Sequence, residues 1–351
     1  MKSSPGRLAP SVLSVGLCTP LGLSTRVCQV EIEAGATRFQ ETAVLDDEGV
    51  PVRASVLNRI RHGLRRIHRV KALATCAIRE CVQPLDPGRR WKLPLFLGLP
   101  APRSGGSLAT GRLTSRLRRA VGPHIKLELN KSQLFPDGRA AFFRALSSAV
   151  EMLEGGSAPL VLVGAVDSYC DMTSLVYLSS LGRHLSPSNC DGVIPGEGAG
   201  FVLLGRDESL TAPGPRMRVL ACCVDMEARH FLQEEPNLGD GLTRVFRALR
   251  QHPLTGGQRV DRLLSCQTGE TFWAREFAMA SLRNGALMPE PLRGDLVAET
   301  LGDVGAASGA IQVGVAQAWL RMRAGQQPAP QVLIYACSDA GLVGGCVVAG
   351  E

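Results

Sequence analysis

No Cys-x-x-Cys pair occurs anywhere in this sequence, although it holds 11 cysteines, two of them adjacent at Cys222 and Cys223. An odd, scattered set without repeated spacing argues against a disulfide framework or a structural zinc site and fits a reducing compartment. No bound metal or other cofactor is expected. Aromatic residues are also scarce, at 5%, and neither an aromatic RNA-binding motif nor a long lysine tail is present. Nucleic acid is therefore not the expected partner, despite a formal charge of +7 and a pI near 9.0. Long apolar runs are missing too. The best candidate, residues 9–23, is broken by Pro10, Gly16, Thr19, Pro20 and Gly22 and is too short to span a bilayer. A buried first strand explains it better, and a cytoplasmic protein without a membrane span is expected.

The chain has 351 residues, 45% of them hydrophobic and 20% charged. That length suits two domains of about 170 residues each. The 39 glycines point to many tight turns and close backbone contacts. Apolar positions recur at three and four over residues 60–81, predicting an amphipathic helix whose other face carries Arg59, Arg61, Arg65, Arg66, Arg69 and Lys71. A second basic helix is expected over 111–121, with Arg112, Arg116, Arg118 and Arg119. Residues 139–153 read as a helix stopped by Gly155 and Gly156, and 160–166 as a strand buried on both faces. A glycine-rich turn is expected over 187–200, with a strand at 201–204. After a loop at 207–215 the pattern restarts, with strands at 217–224, 262–266, 332–337 and 345–349 and helices at 241–251 and 306–324.

The halves resemble each other. Asp137-Gly138-Arg139-Ala140-Ala141 opens a helix leading to a buried strand and then Asp167-Ser168; Asp303-Val304-Gly305-Ala306-Ala307 opens a helix leading to a buried strand and then Ser338-Asp339. The repeated order predicts an internal duplication, with lobes at 1–206 and 216–351 packed about a pseudo-twofold axis.

Two segments carry a family resemblance. The run Leu160-Val161-Leu162-Val163-Gly164-Ala165-Val166, followed by Pro195-Gly196-Glu197-Gly198-Ala199-Gly200, resembles the strand and glycine-rich turn of the β-ketoacyl synthases. Thr19-Pro20-Leu21-Gly22 is similar to the turn after their first strand, and Leu301-Gly302 with Gly305-Ala306-Ala307-Ser308-Gly309-Ala310 to their second histidine segment. The resemblance implies an α/β thiolase-like fold, a five-layered α/β/α/β/α sandwich of two pseudo-twofold-related lobes, in a homodimer or heterodimer. It makes Gly196, Glu197, Gly198 and Gly200 an architectural turn.

Members of that family condense acyl chains with a cysteine at a helix start, where the helix dipole and backbone amides favour the thiolate and hold the oxyanion. Two histidines stabilise the enolate formed by decarboxylation. Counting back from the strand at 160 puts Arg139, or Gly138 with a one-residue slip, at the nucleophile position. Gln267 takes the place of the first histidine, Asp303 that of the second, and Ala298 that of the family's lysine. Cys266 and Cys337 are read as small buried residues at the lobe interface. Arg139, Gln267, Asp303 and Asp339 are expected near the vacated site, Arg139 pairing with Asp303 or Asp339 to close the pocket. No catalytic residue is assigned.

The expected function is thus a catalytically silent, ketosynthase-like protein that binds a protein partner as adaptor or scaffold. An acidic partner fits Arg61, Arg65, Arg69, Arg116 and Arg119: a carrier protein, an active ketosynthase, or a secreted effector or its adaptor. One alternative is a chain-length-factor-type partner of an active ketosynthase; another is an acyltransferase with an unconventional nucleophile.

Overall fold

A computed structural model describes residues 9–46, 48–61, 63–102, 110–206 and 216–350. The linker expected at 207–215, and with it the expected lobe boundary, lies outside the described residues. The first half contains β1 (Ser11–Cys18), α1 (Thr25–Glu33), a hairpin of β2 (Phe39–Leu45) and β3 (Pro51–Ser55), α2 (Arg66–Cys81), β4 (Trp91–Gly98), α3 (Thr110–Ala120), β5 (Ile125–Glu128), β6 (Leu134–Phe135), α4 (Ala141–Glu154), β7 (Leu160–Ser168), α5 (Met172–Ser180) and β8 (Glu197–Gly205). The second contains β9 (Met217–Met226), α6 (Asp240–Gln251), β10 (Arg262–Ser265), α7 (Thr271–Arg283), β11 (Gly294–Leu296), α8 (Ala298–Leu301), α9 (Ser308–Arg321), β12 (Gln331–Cys337) and β13 (Leu342–Gly350).

The duplication is explicit in the strand order. The first half runs β1-β8-β7-β4-β5 and the second β9-β13-β12-β10-β11. In each, the first two ladders are antiparallel and the next two parallel. The halves join edge to edge through β1 and β9 at only two residue pairs, Ser11 with Arg218 and Val12 with Met217.

Packing of the helices produces five layers. α2 and α3 cover the outer face of the first sheet through Leu73, Ala77, Ile78, Leu113 and Leu117. α6 and α7 cover the outer face of the second through Leu242, Phe246, Leu249 and Trp273. Between the sheets lie α4 and α9, whose Phe142, Phe143, Leu146, Ala310, Ile311 and Val315 are buried in one shared core. Strands facing two helix layers must be apolar on both sides, which explains why β7, β8, β12 and β13 are continuous apolar runs, buried along their whole length. Among the described residues, no helix is long and apolar enough to cross a membrane.

Three expectations need correction. The helix expected from residue 60 begins at Arg66, because Gly63 adopts a left-handed φ of 76° and Arg65 is extended. Glu197–Gly200 is not a turn but the first part of β8, paired along Asp167, Val166 and Ala165 of β7. Arg69 does not belong to an exposed basic face. It is 1% exposed, and its guanidinium grips Glu197, with Nε 2.7 Å from Oε2. The period of three and four could not distinguish a buried arginine on the helix boundary from a solvated one.

Glu197 also accepts from the Leu57 amide at 2.8 Å and the Ser168 hydroxyl at 2.8 Å, so Arg69 completes a saturated carboxylate. Arg69→Glu should place two carboxylates in contact inside the protein and cost at least the ~3–5 kcal/mol of a broken buried pair. Arg65→Glu, at an exposed position, should change stability by less than about 1 kcal/mol. Chemical denaturation of the two variants checks the contrast; similar midpoints would remove Arg69 from the stabilising core.

Candidate functional site

The two central helices begin in the same way. A single 3-10 turn, Gly138–Ala140, leads into α4, and another, Gly305–Ala307, leads into α9. Each start is completed by a side chain from the end of the other half's central strand. The Ala306 amide donates to Asp167 Oδ2 at 3.0 Å, and the Ala140 amide donates to Ser338 Oγ at 2.9 Å. These partners satisfy amides that the helix itself leaves unpaired.

Arg139 occupies the middle of the first of these turns and is 3% exposed. A buried cation at the positive end of a helix loses hydration and meets an unfavourable dipole. Carboxylates from the second half offset both costs. Arg139 Nη2 lies 2.9 Å and Nε 3.1 Å from Asp303 Oδ2, and Nη1 lies 2.7 Å from Asp339 Oδ1. Nη1 also approaches the Cys337 carbonyl at 3.4 Å, and the guanidinium sits over the Trp273 ring, 4.8 Å from its centroid. Asp303 Oδ1 in turn accepts from the Gly305 amide at 2.9 Å.

The network continues through Asp339, whose second oxygen accepts from Arg183 Nη1 at 2.8 Å. Arg183 forms a bidentate pair with Glu270 at 2.7 and 2.9 Å, and its guanidinium covers the Phe231 ring at 4.3 Å. Glu270 Oε2 also accepts from Trp273 Nε1 and Thr268 Oγ1. Alternating charges therefore run Asp303, Arg139, Asp339, Arg183, Glu270. Burial opposes the ionisation of Asp339, but Arg139 and Arg183 outweigh it and hold the carboxyl down to about 2. Burial likewise disfavours the charged form of Arg139, yet Asp303 and Asp339 raise its pKa further above the usual arginine range.

The structure thus brings together Arg139, Asp303 and Asp339, but not Gln267. The Gln267 amide donates to the Tyr335 hydroxyl at 2.7 Å, which also takes the Ser265 hydroxyl at 2.8 Å. Cys266 and Cys337 are buried side by side, the Cys337 amide 3.2 Å from Cys266 Sγ. Burial and the neighbouring Cys266 push the Cys337 thiol well up, which leaves it a poor nucleophile. Arg183, Glu270 and Trp273 were missed by sequence reasoning. An arginine after a glycine in a loop carries no periodic signal, and its carboxylate lies 87 positions away. Above the network a cavity of about 240 Å³ opens to solvent, lined by Arg139, Arg183 and Asp339 with Tyr169, Tyr177 and Leu232.

The close approach of β8 to the α8–α9 region explains the glycines. A Cβ on Gly196 would sit 2.2 Å from the Leu301 carbonyl oxygen, and one on Gly200 would sit 2.7 Å from Ala310 Cβ. Gly198 faces the same way, against Ile311.

Comparison with solved structures places this architecture. The chain overlays the ketosynthase from module 6 of the bacillaene synthase of Bacillus subtilis 168 with a TM-score of 0.74, covering 98% of this chain and 72% of that one at 12% identity. The fold is the thiolase-like fold of the β-ketoacyl synthases. The ishigamide ketosynthase/chain length factor gives a TM-score of 0.72 at 17% identity over 97% and 99% of the two chains. A type II PKS ketosynthase bound to the hexaketide and complexed with its acyl-carrier protein gives 0.73 at 14% identity, covering 98% and 99%. The family model for the β-ketoacyl synthase N-terminal domain matches residues 140–209, which run from α4 through β8. No curated protein matches the sequence.

Removing Arg139 strands Asp303 in the interior, so Arg139→Ala should cost roughly 3–5 kcal/mol, and adding Asp303→Ala should recover part of the loss. A double-mutant cycle by denaturant unfolding checks this; additive losses would show that the pair is not coupled. Asp339 supplies a pH signature. Its folded pKa lies below the ordinary carboxylate value, so its contribution is present above about pH 4 and lost as pH falls towards 2. Asp339→Asn should therefore be less stable than the parent at neutral pH and lose less stability across that acid window.

Proposed function

We propose that this chain is a ketosynthase-like protein that forms no acyl-enzyme and acts through a protein partner. The observation that carries the reading is Arg139. By its spacing from the strand of β7 it stands where the family's nucleophile would stand, and its guanidinium is engaged by two carboxylates. A guanidinium cannot hold a thioester, and the amide at Ala140, at the helix start where an oxyanion would bind, is already bonded to Ser338. With Gln267 at the first histidine position and Asp303 at the second, neither supplies an imidazole for enolate stabilisation.

Charge favours an acidic partner. Arg61, Arg65, Arg116 and Arg119 are exposed, while Arg69 drops out of the expected set. The four form two clusters rather than one. Arg65 precedes the start of α2, whereas Arg116 lines a groove with Arg79 near its end, roughly 20 Å further along the helix. A second reading, a chain-length-factor-type subunit beside an active ketosynthase, is favoured by the near-complete mutual coverage with the ishigamide ketosynthase/chain length factor. Both readings share an absence of acylation and a dependence on a partner surface, in a cytoplasmic setting without metal or cofactor.

The test is incubation of the full chain with an acidic carrier protein loaded with a radiolabelled acyl group. No denaturation-resistant, hydroxylamine-sensitive label should appear. The carrier should be retained at low salt and released as salt rises, with at least fivefold weaker retention after Arg61→Glu and Arg65→Glu together. Stable labelling of Cys266 or Cys337 would overturn the silent reading in favour of an unconventional acyltransferase.

A further inference from the structure

The amphipathic pattern of α1 is reversed for a helix at the surface. It buries Thr25, Cys28 and Gln29, while Val27 and Val30, with Leu23 just before the helix, are 45%, 60% and 38% exposed. Hydrogen bonds account for the polar inner side. The Thr25 hydroxyl donates to the Val15 carbonyl at 3.0 Å, and the Gln29 amide to the Gly314 carbonyl at 2.7 Å. Leu23, Val27 and Val30 recur at four and three, so the outer side carries one apolar stripe. A contiguous exposed stripe of this kind marks an interaction site, where a single exposed residue would not.

The stripe begins where two grooves meet. One, of about 480 Å³, is lined by Leu21, Leu23 and Val27 with Arg38 and Arg59. The other, of about 550 Å³, is lined by Leu23, Ala72 and Cys76 with Arg79 and Arg116. Both include Leu23 and Ser24, so they form one trough with two guanidiniums on either side of an apolar middle. Among the described residues, Glu80 is the one carboxylate lining either groove, and it is turned to the start of α1. Its Oε1 accepts from the Thr25 amide at 2.8 Å, and its Oε2 from the Leu17 amide at 3.1 Å and the Thr25 hydroxyl at 2.8 Å. Arg38 meets Glu31 loosely at 3.5 Å, and Arg79 donates to a neutral acceptor, the Ala120 carbonyl, at 3.4 Å. The trough therefore presents positive charge around an aliphatic floor.

We propose that this trough docks an acidic amphipathic helix of a protein partner. The apolar stripe of that helix lies on Leu23, Val27 and Val30, and its aspartates or glutamates reach Arg38, Arg59, Arg79 and Arg116. This surface rests on the reading of a partner-dependent protein and names the chemistry of the contact, whether or not the partner is an acyl carrier. The 550 Å³ groove has walls on α2 and α3, which suits a helix seated between helices better than an added strand. Among the described residues, no aromatic ring lines either groove, so nucleic-acid bases have nothing to stack on. A flat anionic bilayer would touch α1 but leave both grooves unfilled.

The experiment titrates the full chain into a fluorescein-labelled helical peptide, held by an internal crosslink, with leucines spaced at four and three and glutamates on both flanks. Fluorescence anisotropy should show binding that weakens as salt rises. A peptide with lysines for the glutamates should bind at least tenfold more weakly. Val27→Asp with Val30→Asp, both at exposed positions, should weaken the acidic peptide at least tenfold without moving the unfolding midpoint. Arg79→Glu with Arg116→Glu should weaken it at least fivefold and flatten its salt dependence, whereas Arg61→Glu with Arg65→Glu should change it less than twofold. Equal binding of the acidic and basic peptides overturns the proposal, as does binding that survives Val27→Asp with Val30→Asp. Co-sedimentation with phosphatidylglycerol vesicles, lost in that same variant while the peptide fails to bind the parent, would assign the stripe to a membrane instead. Carrier retention and acylation are read separately, so a peptide that fails while the carrier is retained overturns this surface alone.

Discussion

Each central helix in this protein depends on the opposite half for the completion of its first turn. α9 begins with its Ala306 amide on Asp167, and α4 with its Ala140 amide on Ser338. These two acceptors both come from the opposite half, and both helix starts sit in the layer between the two sheets. The direct sheet contact is slight, two residue pairs between β1 and β9. Cohesion therefore falls on the apolar core around α4 and α9 and on these exchanged caps. Into one of the two starts the sequence inserts a cation, and that choice determines the surrounding chemistry. Arg139 cannot be buried there alone. Asp303 and Asp339 are required, Asp339 is then shared with Arg183, and Arg183 in turn holds Glu270.

Burying four of these five charges, with Asp339 28% exposed, costs considerable hydration, and a hydrophobic filling of the same space would not. What the charges provide is geometry. Bidentate arginine pairs fix both partners in angle as well as distance, and here they tie residues 139, 183, 270, 303 and 339 into one constellation. In the first half, Arg66 and Arg69 play a comparable part. Arg66 reaches Asp167 at 2.6 Å and Arg69 grips Glu197, so the cap on α9 and the first residue of β8 are both anchored from α2. The basic face that periodicity suggests on α2 is thus divided: Arg66 and Arg69 serve the interior, while Arg65 stays in solvent.

Legibility in the sequence followed burial. The strands covered on both faces, such as β7 and β12, are continuous apolar runs and could be read directly, as could α4, which ends against Gly155 and Gly156. The repeated order of aspartate, paired alanines, helix and strand exposed the duplication that the strand order displays. Elements with mixed surfaces were not legible. α7 carries Phe272, Trp273, Phe277 and several polar residues without a clean stripe, and β5 and β11 are edge strands of four and three residues. At the site, Arg139 with its two carboxylates stood out because a charged residue at a buried helix start demands partners. Arg183 and Glu270 did not, since each looks like an ordinary surface charge until the fold places them together.

The glycines of residues 196–200 and the residues at 139, 267 and 303 answer to different constraints. The glycines are set by backbone approach: at Gly196 a Cβ would sit 2.2 Å from the Leu301 carbonyl, whatever reaction the pocket supports. Glu197 between them is likewise occupied structurally, saturated by Arg69, Ser168 and the Leu57 amide. By contrast, the side chain at the α4 start is constrained by charge: Arg139 is 3% exposed, and its guanidinium is held by Asp303 and Asp339. The strand-and-glycine segment within the family-model match, residues 140–209, answers to the first constraint, and Arg139, which adjoins it, to the second.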